Sequence, residues 1–224
     1  MDGRPNEVDE QDAERDHWKQ VMKTMLTYED FVGLELRRRQ EHLNRLPAAC
    51  TDRLPAASFD KIAAIAAASQ SNQYFLQEVV AYQCASFFKH FPDEAFPTPF
   101  TRQDGISTSQ QHRNEAIIHS LFREWSAEGS AERAKSFGMI ISELQSVLPV
   151  TQGNIWSQRV LVPGSGLGRL PLEISALGYA CQGNEFSAFM AIPSNFILNA
   201  VDSANCFEIF PWIDRWHPYL PYLP

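Results

Sequence analysis

The chain has 224 residues, 44% of them hydrophobic, and a formal net charge of −8. That is enough apolar material for a core, and the negative balance argues against a general nucleic-acid binder, which presents a basic face. Four scattered cysteines (50, 84, 181, 206) with no Cys-x-x-Cys pair predict no metal site, and no apolar run approaches the ~20 residues that span a bilayer, so a soluble chain in a reducing compartment is expected.

Residues 1–16 carry seven carboxylates against two arginines and predict a disordered acidic tail. A helical region is expected over residues 17–150. Trp18, Val21, Met22, Met25 and Leu26 fall at helical spacing, and Leu36, Leu43 and Leu46 continue it through the Arg37-Arg38-Arg39 run, giving one or two helices that end before Pro47. The arginine triplet reads most simply as a solvated face. A third helix is predicted from Ser58, as N-cap, through Ile62 and Ile65 toward Ser69. A fourth would carry Tyr74, Phe75, Val79, Tyr82, Phe87 and Phe88, dense enough to be buried on more than one side.

Residues 90–110, with Phe91-Pro92 and Phe96-Pro97-Thr98-Pro99, read as a long loop or lid. A fifth helix is expected from His112 to Glu128, with Ile117, Ile118, Leu121, Phe122 and Trp125 on one face and a stop at Gly129. Ala131–Leu148 gives a sixth, its Phe137, Ile140, Ile141, Leu144 and Leu148 facing inward. The six histidines, His112 and His119 among them, read as surface or structural groups rather than general bases.

The remaining segment, 151–224, has a different character. Val160, Leu161 and Val162 form a short apolar run that breaks at Pro163 into Gly164, Gly166 and Gly168, and Leu170, Leu172, Ile174 and Leu177 then follow at helical spacing. A second run, Tyr179–Cys181, leads to Gly183, Asn184 and Glu185. The unit reads as strand, glycine turn, helix, strand, with an acid at the tip of its second strand, where nucleotide-like ligands bind in α/β folds. A further helix from Ser187 must accommodate Pro193. Cys206–Phe210 could be a strand, after which Pro211-Trp212-Ile213 turns away.

The spacing bears on which ligand the turn would take. A dinucleotide fingerprint, Gly-x-Gly-x-x-Gly, needs a small third residue for close helix–strand packing, and that position here is Arg169. The observed Gly-x-Gly-x-Gly suits an adenosyl group, and Glu185 stands where an acid accepts ribose hydroxyls, a geometry that serves S-adenosylmethionine and NAD alike. Arg123, beside Phe122 and Trp125, could grip a carboxylate by two bonds or pair with Glu124 or Glu128.

The runs Val162-Pro163-Gly164-Ser165-Gly166-Leu167-Gly168-Arg169-Leu170 and Gly178-Tyr179-Ala180-Cys181-Gln182-Gly183-Asn184-Glu185, with Phe122-Arg123-Glu124-Trp125-Ser126 upstream and Pro211-Trp212-Ile213 downstream, resemble the carnosine N-methyltransferase family. The likeness covers most of residues 15–215. It implies an S-adenosylmethionine-dependent enzyme that methylates an imidazole nitrogen of carnosine or related histidine-containing peptides. The implied fold is α/β: a helical N-terminal region followed by the first βαβ unit of a Rossmann-like class I methyltransferase sheet. By motif position the cofactor would be held at Gly164, Gly166 and Gly168, its ribose by Glu185 and its methionine carboxylate by Arg123. A family glutamine three residues before that arginine is Ser120 here.

The resemblance assigns no catalytic residue in this chain, because the family's adenine-side acid and imidazole-binding residues lie beyond the part present. The chain is therefore expected to be the N-terminal portion of such an enzyme, with weak cofactor binding and little activity alone. An exposed helical face could promote a homodimer, and the expected compartment is the cytoplasm, with the nucleus as a second. An NAD-binding oxidoreductase and a non-catalytic interaction module are the alternatives.

Overall fold

Two helices open the chain, separated by one residue: α1 (Glu7–Leu26) and α2 (Tyr28–Asn44). The computed structural model describes residues 7–47, 50, 57–87 and 108–213. The break falls where the hydroxyls of Thr24 and Thr27 donate to the carbonyls of Gln20 and Lys23, at 2.9 and 3.2 Å, in competition with the backbone ladder. Val21, Met22, Met25, Tyr28, Val32 and Leu36 lie buried across it.

Composition marks residues 1–16 as a disordered tail, yet α1 already begins at Glu7. Glu, Gln, Ala and Arg have good helix propensity, and the packed half from Trp18 onward supplies a nucleus from which the helix extends backward. Residues 1–6 lie outside the described part.

Where two further helices are predicted there is one, α3 (Ala57–Phe87), 31 residues long and without Gly or Pro. Its polar stretch, which reads as a boundary, is a docking point. Gln73 donates to the carbonyl of Met25 at 3.2 Å and accepts the N–H of Glu29 at 2.9 Å, so one side chain serves backbone groups on both sides of the α1–α2 break. Asn72 donates to the Tyr28 hydroxyl at 3.2 Å and to the carbonyl of Phe210 at 2.9 Å, and accepts the N–H of Phe210 at 2.8 Å. Phe75 and Val79 are buried, whereas Tyr74 is 55% exposed; the side chains of Phe87 and Phe88, and residues 90–107 of the loop or lid read over 90–110, fall outside the described residues, while 108–110 are helical.

Helix α4 (Thr108–Trp125) starts four residues earlier than the sequence suggests and buries Ile117, Ile118 and Leu121 as expected. Its Asn114 donates to the carbonyl of Thr24 at 2.8 Å. Helix α5 (Ser130–Val147) departs from expectation: none of its residues is fully buried, Ile140 is 50% exposed, and Leu148, which caps its end, is 37% exposed. Periodicity shows which face of a helix is apolar, but not whether anything covers it.

The last segment forms the anticipated unit: β1 (Arg159–Pro163), α6 (Arg169–Ala176) and β2 (Ala180–Asn184), the strands parallel with Arg159 opposite Ala180 and Pro163 opposite Asn184. Helix α7 (Ala188–Asn199) follows, with Pro193 at its sixth residue, where the missing N–H would have bonded the carbonyl of Phe189. Among the described residues the architecture is mostly helical with a two-stranded parallel sheet, an α/β arrangement.

Residues 206–210 form no strand. Asn72 supplies the donor and acceptor that a neighbouring strand would have offered Phe210. Phe207 packs against Phe75 and Phe196, with ring centroids 5.3 and 5.8 Å apart, joining α3, α7 and the final segment in one aromatic cluster. The chain then turns at Pro211-Trp212-Ile213, and Trp212 stacks on His119 of α4 at 5.3 Å.

Gly129 makes the α4–α5 corner. A methyl group there would lie 2.4 Å from the carbonyl oxygen of Phe122 and 2.5 Å from that of Arg123, both backbone atoms that cannot swing aside, whereas one on Gly138 in α5 meets nothing within 4 Å. Gly129→Ala is expected to cost ~2 kcal/mol or more, as overpacking does. Gly138→Ala is expected to stabilise by up to about 1 kcal/mol through helix propensity. Urea unfolding of the two variants should move in opposite directions; shifts of the same sign would contradict this account of the corner.

Candidate functional site

The glycine turn between β1 and α6 is held from two sides. Gly164, Gly166 and Gly168 have φ of +63°, +57° and +82°, a left-handed run that side chains other than glycine rarely adopt. Gly168 also admits α7 closely, since a Cβ there would come 2.7 Å from Leu198 Cδ1 and Ser194 Oγ, while Gly164 faces open space.

Successive N–H groups of the turn go to different carboxylates. Glu185, just past β2, accepts the N–H of Gly166 at 2.9 Å with Oε2 and that of Ser187, the N-cap of α7, at 2.8 Å with Oε1. Glu124, near the end of α4, accepts the N–H of Leu167 with both oxygens, at 3.2 and 3.4 Å. Glu185 stands at the tip of the second strand, as the sequence suggests; its bond back to the glycine turn is a feature the sequence reading did not include. Glu124 was foreseen only as an ion-pair partner for Arg123, and its adjacency to Arg123 in the Phe-Arg-Glu-Trp run was the available signal.

Burial is the main cause that pushes the Glu124 carboxyl above the ordinary carboxylate range. The N–H groups of Leu167 and Arg169 and the charge of Arg123 pull it down, while the charge of Glu185 adds to the rise.

Between this turn and α4–α5 lies a cleft of about 280 Å³, lined by Arg123, Glu124, Arg133, Phe137, Gly164 and Gly166 among others. Arg123 is exposed on its wall, and among the described residues it makes no ion pair with Glu124 or Glu128. Arg133, unlike Arg123, is committed: its Nη1 donates to the carbonyls of Arg123 and Ser126 at 2.8 Å each, capping the end of α4. The structure thus brings Arg123, Gly164 and Gly166 to one cleft and ties Glu185 to its floor. Gly168 stands apart, buried beneath α7.

Arg169, the residue that spoils the dinucleotide register, packs its guanidinium over the Trp125 ring at 5.2 Å and pairs with Glu173 at 2.7 Å. Trp125 in turn donates its ring N–H to the carbonyl of Leu167 at 3.2 Å. Arg169 therefore helps fasten the turn to α4. Ser120 is buried in α4. His112 is exposed and bonded to Glu115 at 2.8 Å, and His119 accepts the N–H of Trp212 at 3.3 Å. Both histidines fit the structural reading.

Fold and site define an α/β protein whose glycine turn, fastened to a helical layer, lies between two carboxylates beside an arginine-lined cleft. Comparison with known proteins goes further. The family model described as carnosine N-methyltransferase matches residues 101–218. The mouse carnosine N-methyltransferase is 32% identical over 212 residues, covering 93% of this chain and 51% of that protein. The Drosophila melanogaster protein named carnosine N-methyltransferase unmet is 28% identical over 227 residues, covering 93% and 49%. A Schizosaccharomyces pombe carnosine N-methyltransferase is 42% identical over 108 residues, covering 48% and 29%. The chain belongs to the carnosine N-methyltransferase family, and it spans about half the length of the mouse and fly relatives.

The Glu124 environment sets a pH dependence. Because its folded pKa is raised, the folded state binds more protons than the unfolded chain between the ordinary glutamate value of ~4.3 and the raised value, so its contribution to stability falls as pH rises through that window. Gln at this position accepts the Leu167 N–H without charge. The stability of Glu124→Gln relative to the unmodified chain should therefore increase between pH 4 and pH 7 in urea titrations, and a difference that is flat or shrinks would refute the desolvation account.

Proposed function

We propose that the chain binds S-adenosylmethionine in the cleft between α4–α5 and the glycine turn, within a Rossmann-like methyltransferase domain. The activity it serves is transfer of the methyl group to an imidazole nitrogen of carnosine or a related histidine-containing peptide. One observation carries the choice of cofactor: the N–H groups of Gly166 and Leu167 are each taken by a carboxylate, Glu185 and Glu124. In a dinucleotide site such N–H groups face the pyrophosphate. Two carboxylates there would repel it, and they favour a ligand that carries positive charge.

The residues present suit the cofactor's parts. Gly164 has open space on its Cβ side, which lets a ligand approach the backbone. Each Glu185 oxygen accepts one N–H and keeps a lone pair for a ribose hydroxyl. Arg123, without an ion-pair partner among the described residues, can take the methionine carboxylate by two bonds. The cofactor supplies an activated methyl group on a sulfonium. For the acceptor, a neutral imidazole already has a free nitrogen lone pair near pH 7, since its pKa is ~6.5, so positioning and exclusion of water matter more than a strong base.

Calorimetric titration of the 224-residue chain with S-adenosylhomocysteine and, separately, with NADH tests the reading. Saturable binding of the first and none of the second is expected. Preferential binding of NADH, or no binding of S-adenosylhomocysteine at millimolar concentration, would overturn it.

A further inference from the structure

Glu124 has more capacity than fastening the turn requires. Its carboxylate stands half-buried in the wall of the cleft, and its two oxygens take the N–H of Leu167 only through long bonds, at 3.2 and 3.4 Å, with the Arg169 N–H as the other backbone group favouring its charge. The close approach is possible because residue 166 is glycine: a Cβ there would sit 2.8 Å from Glu124 Oε1. Among the described residues no cation lies within ion-pair distance of it. Desolvation works against its charge, which a cationic ligand would offset.

Arg123 is the neighbour of opposite sign. The two residues are consecutive and so diverge by ~100° around the helix, yet both line the same cleft. A guanidinium and a carboxylate, each lacking an ion-pair partner among the described residues and set side by side on one wall, are complementary to a zwitterion whose two charged groups are borne by one carbon.

We propose that Glu124 binds the α-ammonium of the cofactor's amino-acid end while Arg123 takes its α-carboxylate, so that the pair selects an α-amino acid rather than any carboxylate. The proposal rests on the cofactor reading above and adds to it a residue that specifies the ligand. Glu132, also on the cleft but exposed on α5, is the competing carboxylate and serves as the control.

The test removes the ammonium from the ligand and the carboxylate from the protein in turn. S-adenosylhomocysteine is compared by calorimetry with its deaminated analogue, which keeps the carboxylate. The unmodified chain should prefer the amine-bearing ligand by about tenfold or more, as expected for a charge-assisted bond, tenfold being 1.4 kcal/mol. In Glu124→Gln, which retains an acceptor for Leu167, that preference should fall to within about twofold of unity; in Glu132→Gln it should persist.

Equal affinity of the unmodified chain for both ligands would overturn the proposal, and so would a preference that survives Glu124→Gln. A proportional weakening of both ligands in that variant would likewise overturn it, by showing a purely structural role. Failure of the unmodified chain to bind S-adenosylhomocysteine would instead remove the cofactor reading and this proposal with it. Should Glu124→Gln not fold, Glu124→Asp retains the charge at shorter reach: its ligand preference is expected to drop below that of the unmodified chain, and an undiminished preference counts against the proposal.

Discussion

The glycine turn is the constraint on which the rest of the site depends, and it is clamped by carboxylates from two layers. Glu185 fixes it to the end of β2 and the start of α7; Glu124, with the Trp125 ring N–H on the next carbonyl, fixes it to α4. A turn with three residues at positive φ has few conformational restraints of its own. Its shape comes from these partners, each of which answers a backbone group that would otherwise be left half-buried and unpaired. The same carboxylates set the electrostatic character of the cleft.

A second set of contacts decides where α4 sits. Asn72 and Gln73, in the middle of α3, bind the α1–α2 break and the backbone of Phe210, and the cluster of Phe75, Phe196 and Phe207 closes the space between α3, α7 and the final described segment. That arrangement carries Pro211-Trp212-Ile213 onto α4, where Trp212 meets His119 and, at 4.7 Å, the ring of Phe122, the neighbour of Arg123. The helical layer thus positions the arginine instead of merely preceding the nucleotide-type unit in sequence. The capping of α4 by Arg133 across the Gly129 corner adds a third restraint close to the same residue.

Family membership and geometry contribute different things. Membership follows from a match over residues 101–218 and from relatives at 28–42% identity, all named carnosine N-methyltransferases. It says nothing of the charge the turn accepts; the carboxylates that take the Gly166 and Leu167 N–H groups do, because they would repel a pyrophosphate placed there. Ser120, where the resemblance implies a glutamine, is buried in α4.

Local patterns in the sequence determined the parts whose causes are local. Apolar periodicity placed α4 and the βαβ unit, the three glycines marked the turn, and the position of Glu185 after the second apolar run was enough to expect an acid at the strand tip. What lay beyond reach depended on partners distant in the chain. The polar stretch Ser69–Gln73 reads as a helix end until Tyr28, Met25 and Phe210 are there to bind it. Cys206–Phe210 reads as a strand until Asn72 takes the bonds a strand would make, and α5 reads as a packed helix although among the described residues its apolar face is covered only in part. Glu124 belongs with these: adjacency to Arg123 suggested an ion pair, but only the docking of α4 on the turn brought its carboxylate to the N–H of Leu167, 43 residues away. Hydrogen-bond demand is written in each residue, and tertiary structure alone decides which partner meets it.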